Sequence, residues 1–143
     1  MILVDANLLL YAKIPEYPQH PVVHEWMERQ LNSPGKVGLP WPVLLAFVRV
    51  TTNARMYDRP FSIRDAWQQV VDWISHPHVW IPEPTGDHAL VLGRLLTETH
   101  ATGNLVMDAH LAALAIEHGL TLCSADSDFA RFPRLDWLNP LAP

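Results

Sequence analysis

The stretch MILVDANLLLYA, residues 1–12, places one acidic residue between two apolar runs. Residues 2–4 are typical of a buried strand, and the leucines at positions 8–10 are typical of a buried helix. A carboxylate between two buried elements is costly unless a partner compensates its charge. The sequence therefore predicts that Asp5 lies at the end of a strand and meets a partner from elsewhere in the chain.

The same alternation of short apolar runs and helical patterns continues along the chain. We predict strands at residues 2–4, 36–39, 78–81, 120–123 and 135–138. We predict helices at residues 7–13, 21–32, 42–53, 63–75, 87–100 and 105–118, and a short helix at 127–131. This order is typical of a parallel sheet covered by helices. We expect one domain, residues 1–143, folded as a three-layer α/β/α sandwich with a central, mostly parallel sheet of four to five strands.

Composition excludes some classes of protein. The formal net charge of −5 is opposite to that of proteins that coat nucleic acid with lysine. No apolar run approaches the roughly 18–20 residues of a membrane span, so we expect a soluble, cytoplasmic protein without a membrane partner. Arg49, Arg55, Arg59 and Arg64 are opposed only by Asp58, a local balance of 4 − 1 = +3. The arginine fork suits phosphate, and a solvated surface is the alternative.

Four aspartates occur where charge is unexpected. Asp108 lies on an apolar stripe of the predicted helix 105–118, and Asp126 and Asp128 follow the apolar strand 120–123. Ligands of open parallel sheets bind at the carboxyl ends of the strands, so Asp5 would meet the last two if strands 1 and 4 are neighbours. Helix capping is the alternative role for Asp108 and Asp126.

Such a group of carboxylates repels itself unless a divalent cation lies between its members. Oxygen ligands without a histidine or thiolate set favour Mg²⁺ or Mn²⁺ over Zn²⁺. An ion of this kind can activate a water and stabilise a leaving oxygen, which is the chemistry of phosphodiester hydrolysis.

Three segments carry a resemblance to a known family: VDANLLLYA (4–12), GNLVMDAHLAALA (103–115) and CSADSDFARFPRLDWLNPL (123–141). With PWPVLLAFVRVTTN (40–53), they resemble the PIN-domain ribonucleases, specifically the VapC toxins of type II toxin–antitoxin pairs. The resemblance implies a Mg²⁺- or Mn²⁺-dependent endoribonuclease, usually a homodimer, that cuts RNA and is silenced by a VapB-like antitoxin.

The resemblance also implies roles for individual residues. Asp5 and Asp108 match the first and third acids of the family, and Asp126 matches the fourth, which gives a predicted metal set of Asp5, Asp108 and Asp126. Asp128 matches a further acid at the rim. Asn7 and Ser124 resemble the polar residues that orient the first ligand or its waters. These six residues are the predicted catalytic set.

One position departs from the family pattern. The family's second acid is a glutamate in the third helix, where this chain has Ala46, and no acid occurs between Lys36 and Tyr57. Either the remaining acids hold one metal, or activity is reduced, or another chain contributes; Glu16, Glu25 and Glu28 are candidates within this chain. A domain that binds RNA or antitoxin without efficient turnover is therefore the alternative function. A haloacid-dehalogenase-type phosphatase is disfavoured because Asn7 occupies the position of its general acid.

Overall fold

Five short strands form a single, all-parallel sheet. The computed structural model describes all 143 residues of the chain. The strands are β1 (Ile2–Val4), β2 (Val37–Gly38), β3 (Val79–Trp80), β4 (Thr121–Cys123) and β5 (Trp137–Leu138). Their order across the sheet is β3-β2-β1-β4-β5, so the first strand of the chain is the central one.

Six α-helices and one short 3₁₀ helix connect the strands. The helices are α1 (Ala6–Lys13), α2 (His20–Asn32), α3 (Trp41–Thr51), α4 (Ile63–Ile74), α5 (His88–Thr99), α6 (Asn104–His118) and the 3₁₀ helix Ser127–Arg131. α1 packs on α2 and α3, and α3 packs on α4, whereas α5 packs on α6. The chain moves from β1 to β2 and β3 in one direction along the sheet and then returns past β1 to β4. Because connections between parallel strands are right-handed, helices α1–α4 cover one face of the sheet and α5 and α6 cover the other. The predicted α/β sandwich is confirmed.

β1 and β4 are the pair of strands on which the site depends. They run in parallel register, with Val4 opposite Cys123, so both strands end at the same level. The backbone N–H of Asp5 continues the ladder beyond the last pair by donating to the Cys123 carbonyl at 3.0 Å. The connections leave β1 and β4 toward opposite sides of the sheet, which opens a crevice between their carboxyl ends. Strands 1 and 4 are therefore neighbours, which is the condition under which Asp5 would meet Asp126 and Asp128.

The strands are apolar on both sides because helices cover both faces of the sheet. Leu3, Val4 and Leu122 are fully buried, and Cys123 is 1% exposed. They belong to one hydrophobic cluster of 28 buried residues. Cys123 is therefore a core residue, as its place in an apolar strand predicts.

Local sequence signals set the ends of the two helices that carry acids. Asp5 is the N-cap of α1, where its side chain accepts a hydrogen bond from the Ala6 N–H. α6 ends at Gly119, whose φ of 66° is a left-handed conformation that glycine adopts without a Cβ penalty. No helix combines the length and the apolar character needed to cross a membrane.

All the predicted elements occur, with ends that differ by at most two residues from the prediction. The largest differences are at the C-terminal end of α3 and at the start of β5. The sheet is entirely parallel with five strands, which is sharper than the predicted four to five mostly parallel strands. The short helix at 127–131 is a 3₁₀ helix.

Candidate metal centre

Asp5 is held at the carboxyl end of the central strand by contacts to both of its oxygens. Oδ1 accepts from the Ala6 N–H at 2.7 Å, and Oδ2 accepts from the Ser124 hydroxyl at 2.8 Å. Burial raises the pKa of Asp5, the two hydrogen bonds oppose this rise, and the charge of Asp126 adds to it. The net pKa stays above the ordinary value, so the carboxylate lacks a full counter-charge within the chain.

Ser124 is hydrogen-bonded to three other residues of the site. It is completely buried, and its hydroxyl donates to Asp5 while accepting from the Asn7 side-chain amide at 3.1 Å and the Asp126 N–H at 3.0 Å. A hydroxyl has one donor and two acceptor positions, and all three are used here. Asn7 is fixed in turn because its carbonyl oxygen accepts from the Ala125 N–H at 3.4 Å. Asn7 and Ser124 thus lie where they can orient the Asp5 carboxylate.

Asp108 projects from the second turn of α6 toward the loop that follows β4. One carboxylate oxygen of Asp108, one of Asp126 in that loop and one of Asp128 in the 3₁₀ helix lie within 4.8 Å of one another. Asp126 also caps the 3₁₀ helix by accepting from the Asp128 N–H at 2.9 Å, so its capping role and its place in the cluster coexist. Asp128 is exposed at the rim.

Burial and the neighbouring carboxylates both raise the pKa of Asp108. Burial raises its pKa from 3.8 to about 6, and repulsion from neighbouring carboxylates contributes in the order Asp5, Asp126 and Asp128. An all-oxygen donor set that repels itself is the chemistry that Mg²⁺ and Mn²⁺ fit. Of the predicted metal set, the structure brings Asp108 and Asp126 together most tightly, with Asp128 as the third member. Asp5 acts on both electrostatically and is linked to Asp126 through Ser124.

A cleft of about 210 Å³ opens beside Asp5 and Asp108. It is bounded by the start of α1, by one face of α3 and by the first half of α6. Its lining residues are Asp5, Ala6, Pro42, Val43, Ala46, Arg49, Met107, Asp108 and Leu111. A larger groove of about 530 Å³ lies elsewhere, beside the end of α1 and the loop after α3, and none of the clustered aspartates lines it.

Ala46 lines the acidic cleft, so the carboxylate that the family pattern would place there is missing from the site itself. None of the three candidate glutamates lines the cleft in its place. Glu25 pairs with Arg29 at 3.1 Å on the exposed face of α2, and Glu28 accepts a hydrogen bond from Asn32 through its backbone carbonyl. Glu16 lines the larger groove.

The four arginines grouped by sequence do not share one surface feature. Arg49 lines the acidic cleft and Arg59 lines the larger groove, whereas Arg55 and Arg64 line neither. From the sequence, Arg49 was predicted only as one of this group of four arginines and not as a residue of the site. The available signal was its spacing, because a residue three positions after Ala46 lies on the same side of a helix.

His110 is close to Asp108 along α6 but belongs to a separate network between α5 and α6. His88 contacts His110 at 3.0 Å through Nε2 and Glu117 at 2.6 Å through Nδ1. Glu117, whose side chain is 1% exposed, also accepts from the backbone N–H and hydroxyl of Thr85 at 3.0 and 2.7 Å. The sequence gave no sign of this network.

Comparison with known proteins agrees with this geometry. The model of the PIN domain family matches residues 2–135. Ribonuclease VapC37 from Mycobacterium tuberculosis is 43% identical over 142 residues, covering 99% of this chain and 99% of that protein. Ribonuclease VapC43 from the same species is 40% identical over 141 residues, covering 99% of this chain and 96% of that protein.

Two solved structures share the fold. A chain of VapBC2 from Rickettsia felis, bound to a promoter DNA fragment, has a TM-score of 0.71 at 20% identity and covers 97% of this chain and 98% of its own length. A chain of VapBC-1 from nontypeable Haemophilus influenzae has a TM-score of 0.71 at 15% identity, with 99% and 100% covered. The match to the family model and the relatives named VapC show that the chain belongs to the PIN-domain family, in its VapC group.

Proposed function

We propose that this chain is a divalent-metal-dependent endoribonuclease and the toxin of a type II toxin–antitoxin pair. The observation that carries the proposal is the acidic cluster at the carboxyl ends of the strands, in a chain whose relatives, named ribonucleases, match over nearly its whole length. In this proposal, Asp5, Asp108 and Asp126 hold Mg²⁺ or Mn²⁺ and Asp128 binds at the rim.

When bound, the cation would supply an activated water and positive charge at the phosphate under attack. The residues of the chain prepare the site for it. Ser124 and Asn7 fix the direction of the Asp5 carboxylate, so little reorganisation remains when a ligand arrives. Asp108, with a pKa of about 6, is ionised at neutral pH and loses its charge in mild acid. Because protons compete with the cation for this carboxylate, we expect the Mn²⁺ affinity, and the activity at sub-saturating Mn²⁺, to fall as the pH drops through about 6.

The proposal is tested by RNA cleavage with Mn²⁺ by the purified chain and by its Asp5→Asn variant. Loss of a ligand removes several kcal/mol of transition-state stabilisation, so we expect cleavage to fall about a hundredfold or more. Asp87→Asn is the matched control, because Asp87 is exposed at the start of α5 and lines neither cavity. Equal rates for wild type and Asp5→Asn would reject the nuclease proposal.

Ala46 favours a second candidate function. In this alternative, the cleft has one carboxylate fewer than the family pattern, and the chain binds RNA or its antitoxin without efficient turnover. This alternative predicts Mn²⁺ binding that depends on Asp108, with no cleavage by wild type at any Mn²⁺ concentration. Cleavage that Asp5→Asn abolishes excludes it.

We propose a VapB-like antitoxin as the protein partner, since the similar solved structures are VapBC complexes. Exposed apolar side chains on α3 and α4 support a protein partner: Leu45, Ile63 and Trp67 are 53, 66 and 44% exposed, and Trp67 stacks on Trp41 at 6.2 Å. Co-purification with the product of an adjacent short open reading frame tests the pairing. The homodimer stays a prediction, which the mass in solution checks.

A further inference from the structure

Arg49 is the one basic residue that lines the acidic cleft. It lies on α3, three residues after Ala46, so both side chains face the cleft from the same side of the helix. Asp5 and Asp108 line the same cleft. The cleft therefore contains the carboxylates of Asp5 and Asp108 and the guanidinium of Arg49, and the small Ala46 side chain lies one turn before Arg49.

The guanidinium of Arg49 has no partner within the chain. The ion pairs of the structure are Arg29–Glu25, Arg134–Glu98 and His88–Glu117. The Thr52 hydroxyl donates to the backbone carbonyl of Arg49, and the Arg49 side chain itself makes no hydrogen bond. Although acids line the same cleft, none lies within the 4 Å of an ion pair, and the side chain is exposed. An unpaired arginine fork beside a concave site is available to an incoming anion, and it matches the two oxygens of a phosphate.

We infer that Arg49 binds a backbone phosphate of the RNA in the acidic cleft, an assignment that rests on the proposed nuclease function. RNA must bring a polyanion against Asp5 and Asp108, and the positive charge of Arg49 in the same cleft offsets that repulsion. The alanine at position 46 contributes to this arrangement. A glutamate there would lie one turn from Arg49, within reach of an ion pair that would compete with the phosphate.

The test compares wild type with Arg49→Ala and Arg49→Lys, and uses Arg94→Ala as the matched control. Arg94 is an exposed arginine on α5 that lines neither cavity. Total cellular RNA serves first to locate a cut site, and a fluorescent RNA oligonucleotide spanning that site is then the probe for kinetics and for binding by anisotropy.

We expect Arg49→Ala to lower kcat/KM about tenfold through KM, as the loss of one charged hydrogen-bond pair predicts. The slope of log affinity against log salt should become shallower by about 0.7, the value for one contact to single-stranded nucleic acid. Arg49→Lys keeps the charge without the fork, so it should recover part of the affinity and the full salt slope. Arg94→Ala should match wild type.

Two results would overturn the assignment of Arg49. The first is an unchanged KM and salt slope in Arg49→Ala. The second is a change in Mn²⁺ affinity as large as the change in RNA affinity, which would mean that Arg49 acts through the carboxylates. If wild type cleaves no RNA, the proposed nuclease function fails. Anisotropy with a fluorescent single-stranded RNA of random sequence, with and without Mn²⁺, then decides the role of Arg49 in the same way.

Discussion

Asp108→Asn should stabilise the metal-free protein at alkaline pH. The substitution keeps the shape of the side chain and removes one negative charge from a cluster in which carboxylates crowd together. Burial and that crowding hold the pKa of Asp108 at about 6 instead of 3.8. Between these two values the folded chain binds more protons than the unfolded chain, so its free energy of unfolding decreases as the pH rises.

The size of the effect follows from the pKa. A rise from 3.8 to about 6 corresponds to about 3 kcal/mol of destabilisation once the pH exceeds both values. Water reaches part of the Asp108 carboxyl and screens the repulsion, so we expect about 1–2 kcal/mol. For a chain of this size, the melting temperature of Asp108→Asn should therefore be about 3–6 °C above that of wild type at about pH 8. At about pH 4 the difference should be close to zero.

Thermal melts in EDTA at the two pH values measure this difference, and melts with Mn²⁺ should reverse its sign. At a hundred times its dissociation constant, a ligand stabilises the folded state by about 2.7 kcal/mol, and Asp108→Asn should lose most of this gain. Asp87→Asn, which removes an exposed charge outside the cleft, should follow wild type in all conditions. A lower melting temperature for Asp108→Asn in EDTA at about pH 8, or a gain that does not depend on pH, would refute the electrostatic explanation.

Three further substitutions have defined outcomes. Ser124→Ala removes a fully used buried hydroxyl, so urea unfolding should show a loss of about 1–3 kcal/mol, and a neutral result would contradict the role of Ser124 in tying the site together. Ala46→Glu adds a carboxylate to the cleft and should raise Mn²⁺ affinity about tenfold in calorimetry; unchanged affinity would place position 46 out of reach of the ion. Burial raises the pKa of Glu117, but its hydrogen bonds to Thr85 and His88 lower it by more, so the pKa in the folded chain lies below the ordinary 4.5. The stabilisation by the ionised carboxylate is therefore present above pH 4.5 and is lost as the pH falls through the pKa of the folded chain. Glu117→Gln should therefore cost about 1–3 kcal/mol at neutral pH and less in acid, and a loss independent of pH would contradict this.

The sequence predicted the elements well because each is encoded locally. The apolar runs around Asp5 define β1 and α1, and Gly119 marks the end of α6. The positions of the acids along the chain were equally informative. Their presence at the end of a strand and on a buried helix face indicated one common site, because unpaired carboxylates are rare in such places.

What the sequence could not supply depends on register and on side-chain direction. The bond from Ser124 to Asp5 joins residues 119 apart in the chain, and it exists only because β1 and β4 end at the same level. The spacing of Arg49 from Ala46 puts both residues on one side of α3, but the sequence does not show that this side lines the cleft, since that depends on how α3 packs on α1. The tightest carboxylate group likewise contains Asp128 and not Asp5, because the turn after β4 brings Asp128 close to Asp126.

The central position of β1 also has a consequence for biosynthesis. Synthesis from the N-terminus delivers β1 before its neighbour β4, and Ser124, which donates to Asp5, comes 119 residues after it. A nascent chain that has not yet released β4 has Asp5 without Ser124 and without Asp126, and so has no assembled acidic cluster. Pairing of such distant strands is also slow compared with local folding. The candidate metal centre therefore cannot assemble until synthesis has passed Asp126.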